Sequence, residues 1–441
     1  MKLLKLFSIL ILIQNCSFDN KSGIWKNENN LEKDEKSVFK DFENVKSLDK
    51  KFNQIIPIKK NYIFNLPLPI KNYKWSDIFY SENNNLVNFE LKLLNSKVFQ
   101  GKKISKNETN NLILYEDNNI LVSDKKGNLI VFSIDTNKII SKFNFYKNRY
   151  KKIKKTLNFI VEDNVVYISD NIGYLYAFNY KKNELLWAKN YKIPFRSNLK
   201  IKKNTLIGSN QNNNLFFFNK KNGSILKSFP TEDNVVKNEF VNNLSLNDQS
   251  VLFLNTYGSL YSIDSNQMKI NWFVNLNQSL NLNPGNLFKG KPIINNDVYS
   301  IISAENFTYI IDNNTGNIIN KKNFSSQIKP ILLKKYLFLI TKNNLLVSFD
   351  IKKNEIIYSH DINKKISDYL KIKKKNANIQ SMMIVNGKIF IFLKNSYLLI
   401  FNINGSLEEI KKFKSKIKSF PIIIEDFILF INDKNKLLIT N

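Results

Sequence analysis

The sequence predicts an all-β chain, folded as an eight-bladed β-propeller with an N-terminal strand closing the last blade. Three observations predict it. A phrase recurs about every 44 residues, the spacing of propeller arrays. Within each copy apolar and polar residues alternate with the period of two that marks half-buried strands. The last copy stops short of a full blade, while the chain before the first copy holds a spare alternating stretch.

The clearest copy runs from Asn164 to Trp187, and reads as two strands joined by a turn at Gly173, then a third strand near the Trp. Copies start near Asn119, Asn164, Asn204, Gln249, Asn296, Tyr336, Asn386 and Asp426. The first turn of each copy uses Gly (Gly127, Gly173, Gly258) or Asn (Asn213, Asn344), residues that tolerate positive φ. The second strand ends in a short acid or amide: Asp135, Asn179, Asn219, Asp264, Asp312, Asp350 or Asn402. Such side chains bond their own backbone and start the next turn. Eight positions further on stand Trp187 and Trp272, with Tyr358 in a third copy but Lys227 and Asn320 in others. The copy from Asp426 supplies only two strands, so a ring needs one lent from the stretch 88–104, where Phe89, Leu91, Leu93 and Val98 alternate. Closure removes aggregation-prone edges.

The N-terminal residues read as an address. Lys2 and Lys5 precede an apolar run at 6–13, too short to span a membrane, and Cys16 follows. This predicts a lipoprotein-type signal peptide over 1–16 with Cys16 as the lipidated residue, although Asn15 stands where a small residue is usual. Residues 17–70, polar and without periodicity, read as a flexible tether, and 71–441 as the propeller. Cys16 is the only cysteine, which excludes an internal disulfide.

Lys and Arg number 67 against 37 acidic residues, a net charge of +30. The excess is spread over turns and rises together with Asn, Ile and Phe, as coding bias produces. With no nucleic-acid motif beside it, it does not predict nucleic-acid binding. The catalytic inventory is poor: His360 is the single histidine, and no metal-ligand spacing, nucleophile elbow or phosphate loop is present. His360 is expected to be solvated, and the turn pair Glu232-Asp233 to be loop charges.

Ala177-Phe178-Asn179 with Asn183 and Trp187, Ile311-Asp312 through Thr315-Gly316, and Ser262-Ile263-Asp264 with Trp272 together resemble the repeat of quinoprotein-type propellers. Within that superfamily the lipoprotein-like start, the eight copies and Ile193-Pro194-Phe195-Arg196-Ser197 resemble the BamB family of outer-membrane assembly lipoproteins. The resemblance implies a non-enzymatic scaffold with no cofactor, lipid-anchored on the periplasmic face of the outer membrane. It would act as a monomer within a hetero-complex. The implied partners are the POTRA region of a BamA-type barrel protein and nascent outer-membrane proteins. Phe195 and Arg196, with Glu239 in the next interblade connection, are the implied partner-binding residues. An exposed Phe-Arg pair suits an interface hot spot, and exposed strand edges could receive peptide by β-addition. Two alternatives remain. One is a degenerate quinone-cofactor (PQQ) dehydrogenase, against which stands the absence of an adjacent Cys pair. The other is an exported propeller binding a polysaccharide or polyanion.

Overall fold

A computed structural model describes residues 52–92, 98–146, 150, 152–233, 243–277, 287–372 and 376–440, together with the backbone of two short strands, Cys16–Phe18 and Trp25–Asn27. The chain divides into two compact units, Met1–Lys50 and Lys51–Asn441. In the first, the two short strands pair antiparallel, with Cys16 opposite Asn27 and Phe18 opposite Trp25. Residues 1–15, expected from the sequence to belong to a signal peptide, lie outside the described residues.

The second unit is the propeller. Its blades are eight sheets, running from Leu114–Asn144 (blade 1) and Leu157–Asn190 (blade 2) through Lys200–Phe229, Asn243–Asn275, Ile294–Lys322, Ile331–Asp361 and Ile379–Lys412 to Ile422–Thr440 (blade 8). In blades 1 to 7 the repeated phrase supplies the three outer strands, and in blade 8 only two of them. A short apolar strand ahead of it, such as Ile331–Leu333 or Ile422–Ile424, forms the innermost strand and is fully buried. Ring closure follows the prediction: Val98–Lys103 pairs antiparallel with Lys436–Thr440 as the outer strand of blade 8. The rest of the spare stretch goes elsewhere. Asn88–Phe89 pairs parallel with Ile384–Val385 at the inner edge of blade 7.

The turns behave as their chemistry dictates. The Asp170 carboxylate accepts the backbone N–H groups of Ile172, Gly173 and Tyr174 at 2.8–2.9 Å, and Asn210 and Asn255 do the same in the next two blades. Asn213 and Asn344 take φ of 62° and 60°, so Asn does the work of a turn glycine.

The eroded Trp and Gly positions are coupled between neighbouring blades. Trp187 of blade 2 lies on Gly223 of blade 3 and donates its indole N–H to Lys220 O at 3.2 Å. Trp272 of blade 4 lies on Gly316 of blade 5 and donates to Asn313 O at 3.0 Å. Tyr358 and His360 of blade 6 lie on Gly405 of blade 7. Where the aromatic is lost, so is the glycine: Ser141 of blade 1 bonds Asn183 of blade 2 at 2.8 Å. A ring lies flat on a turn only where no Cβ intervenes. A Cβ at Gly316, whose φ is 75°, would stand 2.5 Å from the Trp272 ring. We therefore expect Gly316→Ala to cost about 1–3 kcal/mol in urea unfolding, and Asn183→Gly, which faces no ring, to cost well under 1 kcal/mol.

Two expectations are corrected. Residues 52–70 are not tether: they lie along blades 6 and 7. Ile56 exchanges backbone hydrogen bonds with Ser359 at 2.9 and 3.0 Å, Phe64 packs on Tyr336, Phe338 and Tyr358, and Ile70 bonds Asn88 O at 2.8 Å. Apolar residues set among the polar ones, Ile56, Phe64 and Ile70, supply that contact. His360 is not solvated; it stacks on Tyr358 with ring centroids 4.9 Å apart, and burial lowers its pKa. One element was not foreseen. A helix, Ile362–Leu370, follows blade 6, started by Asp361, whose carboxylate accepts from Asn363 and Lys364 N–H.

Candidate functional site

Two places concentrate polar side chains in unusual settings: the propeller axis and the connection between blades 2 and 3.

The axis is occupied by the chain itself. Residues 72–89 make one lap around it and bond the blades in ring order. Asn72 bonds Ile423 O and Glu425 N of blade 8. Trp75 exchanges backbone bonds with Tyr115 of blade 1, and Ser76 O accepts from Val161 N of blade 2. The Asp77 carboxylate meets Lys200 Nζ of blade 3 at 2.6 Å. Glu82 O accepts from Leu246 N of blade 4. Asn84 donates to Leu244 O and Ile293 O, joining blades 4 and 5. Asn85 bonds both O and N of Leu332 in blade 6, mimicking a strand partner. Phe89 O accepts from Asn386 N of blade 7. The lap wraps Trp75, 1% exposed, against Tyr80 and Phe89.

Two lysines clamp the 77–84 turn of the lap. Lys200, wholly buried, donates to Asp77, Ser81 O and Asn84 Oδ1 at 2.6–2.9 Å. Burial lowers its pKa and the Asp77 charge opposes that. Lys329 of the blade 5–6 connection donates to Phe79 O and Asn84 O at 2.8 and 2.6 Å, and burial pushes its pKa down to about 7. Sequence reading missed this hub. Its one signal is the run of Asn83, Asn84 and Asn85, which looks like any loop.

On the face carrying the interblade connections, the axis opens into a cavity of about 420 Å³ floored by Ile78 and Phe79 of the lap. Leu112, Leu254, Phe288 and Pro292 line it, with amides and Lys289 but no carboxylate. Among the described residues no group of three His, Cys, Asp or Glu could hold a metal ion. A quinone cofactor with its Ca²⁺ requires carboxylate donors, a base and, in the related dehydrogenases, an adjacent Cys pair. The residues present do not fit that group.

The blade 2–3 connection differs from expectation. Phe195 is 2% exposed, which corrects the picture of an exposed Phe-Arg pair. Its N–H bonds Asp170 O and the next N–H, that of Arg196, bonds Ser209 O, both at 3.0 Å. That tie turns the ring inward against Tyr191 and Phe218, into the core between the two blades. Arg196 stays half-exposed beside Ile193 and Pro194, with Nη2 donating to Gln211 Oε1 at 3.3 Å. Glu239 lies outside the described residues. In the blade 3–4 connection Glu232 is a built-in anchor, not a solvated loop charge: it accepts from Asn255 and Ser259 at 2.5 Å and Tyr261 at 3.0 Å. Burial raises its pKa, but these bonds outweigh it and hold the carboxylate below its usual range. Cys16 lies in the short N-terminal strand pair.

Fold and repeat define the class: a propeller of quinoprotein-type repeats whose axis is closed by its own chain. Residues 99–322 match the family described as outer membrane protein assembly factor BamB, and the chain belongs to that family. Among solved structures it is similar to BamB from Moraxella catarrhalis, at 13% identity and a TM-score of 0.59, covering 79% of this chain and all of that one. It is also similar to the quinohemoprotein alcohol dehydrogenase from Comamonas testosteroni, at 9% identity and a TM-score of 0.60, covering 83% of this chain and 80% of that one. At these identities the likeness concerns the fold. No curated protein sequence matches. No helix among the described residues is long and apolar enough to cross a membrane.

Proposed function

We propose that this chain is a non-catalytic scaffold of the outer-membrane β-barrel assembly machinery. In this reading residues 1–16 form a signal peptide ending in a lipidated Cys16. Residues 17–51 tether the propeller to the periplasmic face of the outer membrane. The propeller binds the POTRA region of a BamA-type barrel protein, as a monomer within that complex, and needs no cofactor. The observation that carries the reading is family membership over blades 1–5. The filled axis and the poor fit to a quinone support a binding role over a redox one.

The contact surface is revised by the burial of Phe195. Ile193, Pro194 and Arg196 are half-exposed in the blade 2–3 connection, beside the exposed Lys192, and Phe195 holds that connection in shape. Arg residues set in such a frame dominate interfaces. Tagged protein is to be pulled down from detergent-solubilised outer membranes. Arg196→Ala is expected to cut co-purification of the barrel protein by about tenfold or more with unchanged thermal unfolding. Undiminished co-purification would remove this contact from the reading, and absence of any BamA-type protein with the unaltered chain would sink the scaffold itself.

A further inference from the structure

The positive charge is not shared evenly by the two faces of the propeller. The interblade connections and the turns between second and third strands lie on one face, and the remaining turns on the other. Coding bias loads both faces alike, yet the second face mixes its lysines with Asp117, Asp163, Asp248, Asp297, Glu425 and Asp426. On the first face, the connections after blades 1, 6 and 7 hold Lys152 and Lys154, then Lys364, Lys365 and Lys371, then Lys414 and Lys416. Their sequences contain a single carboxylate, Asp368.

The connection after blade 6 is also the one that forms the helix Ile362–Leu370. Buried Ile362 and Ile366 fasten it, and it lies against the outer strands of blades 6 and 7. Its free side is apolar as well as basic. Tyr369, Leu370 and Ile372 are 47%, 43% and 46% exposed, among Lys364, Lys365 and Lys371. Beside them an apolar groove of about 170 Å³ runs between the helix and blade 7, lined by Ile366, Leu370, Leu393, Leu399 and Ile410. Lys394 adjoins that lining, and Lys412 lies 5.8 Å over the ring of Tyr397, which also lines it. The carboxylates of the blade 7 edge are taken, Glu408 by Lys388 and Glu409 by Lys411. Among the described residues, no carboxylate pairs with the five lysines around the helix and groove.

Apolar side chains ringed by unpaired cations complement an anionic bilayer. The lysines meet headgroup phosphates, the aliphatic residues enter the acyl boundary, and Tyr sits between the two. A soluble polyanion would use the charges but leave the apolar residues and the groove in water. We propose that this corner of the propeller is a foot that seats on an anionic phospholipid surface. Tyr369, Leu370 and Ile372 insert, and Lys364, Lys365, Lys371, Lys394 and Lys412 hold headgroups. The contact goes beyond the scaffold reading: it belongs to the folded propeller rather than to Cys16, and it needs no barrel protein.

Because Cys16 is the only cysteine, Cys16→Ser with Leu370→Cys places one environment-sensitive dye on the foot of the full chain. Cys16→Ser with Asn404→Cys places it on the opposite face of blade 7, at an exposed turn. On vesicles of phosphatidylglycerol and phosphatidylethanolamine the first dye is expected to shift to the blue and the second to stay unchanged. Vesicles of phosphatidylcholine are expected to shift neither. Adhesion through the N-terminal residues leaves both dyes in water. In the first labelled chain, Lys364→Gln, Lys365→Gln and Lys371→Gln combined are expected to weaken seating by about tenfold or more, at unchanged thermal unfolding. Tyr369→Ser with Ile372→Ser is expected to weaken it by about tenfold. A dye at 370 that stays in water, an equal shift at 404, or equal seating by the glutamine variant overturns the proposal. Equal seating by the serine variant makes the corner a polyanion site and overturns it too. Arg196→Ala is expected to leave seating unchanged, and the glutamine variant to keep co-purifying the barrel protein, so the foot and the scaffold reading fail separately.

Discussion

Lys200→Met lowers the stability of the propeller by about 3–5 kcal/mol, read as a fall in the urea midpoint at unchanged slope. Lys200 is the only cation that pairs with Asp77 among the described residues, and both side chains are buried. Removing the ammonium leaves a carboxylate in the core and strips donors from Ser81 O and Asn84 Oδ1. The damage is local in sequence but central in space, since Asn84 joins blades 4 and 5. Adding Asp77→Leu to Lys200→Met is expected to recover much of the loss, because two apolar groups leave no orphaned charge. If the single variant costs less than about 1 kcal/mol, the pair behaves as a surface bridge and the hub is not the lock described here.

A chain beginning at Ile104 is expected to aggregate rather than fold. It lacks both the axial lap and the strand Val98–Lys103, so the Lys436–Thr440 strand becomes an open edge in an unclosed ring. A chain beginning at Lys92 separates the two roles. It retains the closing strand but empties the axis of Trp75, Leu86 and Phe89 and of the hydrogen bonds that reach all eight blades. Loss there is comparable to a whole domain's stability, about 5–15 kcal/mol. Light scattering and circular dichroism check both variants. Cooperative melting of the Lys92 chain within a few degrees of the full chain would show that the lap is an ornament of a ring already stable without it.

The coupling of Trp187 to Gly223 and of Trp272 to Gly316 gives the irregular repeat a physical reading. Copies lacking the aromatic looked degraded in isolation. Paired with the following blade they are alternative solutions: a ring on a bare turn, or Ser141 bonded to Asn183. The same kind of long-range contact shapes the blade 2–3 connection. Phe195 and Arg196 are adjacent in sequence, but backbone bonds from Asp170 and Ser209 send one side chain into the core and leave the other at the surface. Nothing in five consecutive residues could tell them apart.

What the sequence by itself determined is local and periodic: the strands, the Asn and Asp turns, the count of eight and the strand that must be lent to close the ring. These depend on residues within one copy, so alternation and turn chemistry expose them. What only the tertiary structure decided is where non-repeating residues go. Asn72, Asp77, Asn84 and Asn85 carry the chemistry of solvated loops, and become the hub only because eight inner strands converge on them. Residues 52–70 carry the composition of a linker, and cover blade 6 because Ser359 offers an open edge. The repeat predicts each blade; contacts between segments far apart in sequence decide which edges stay open and what fills the centre.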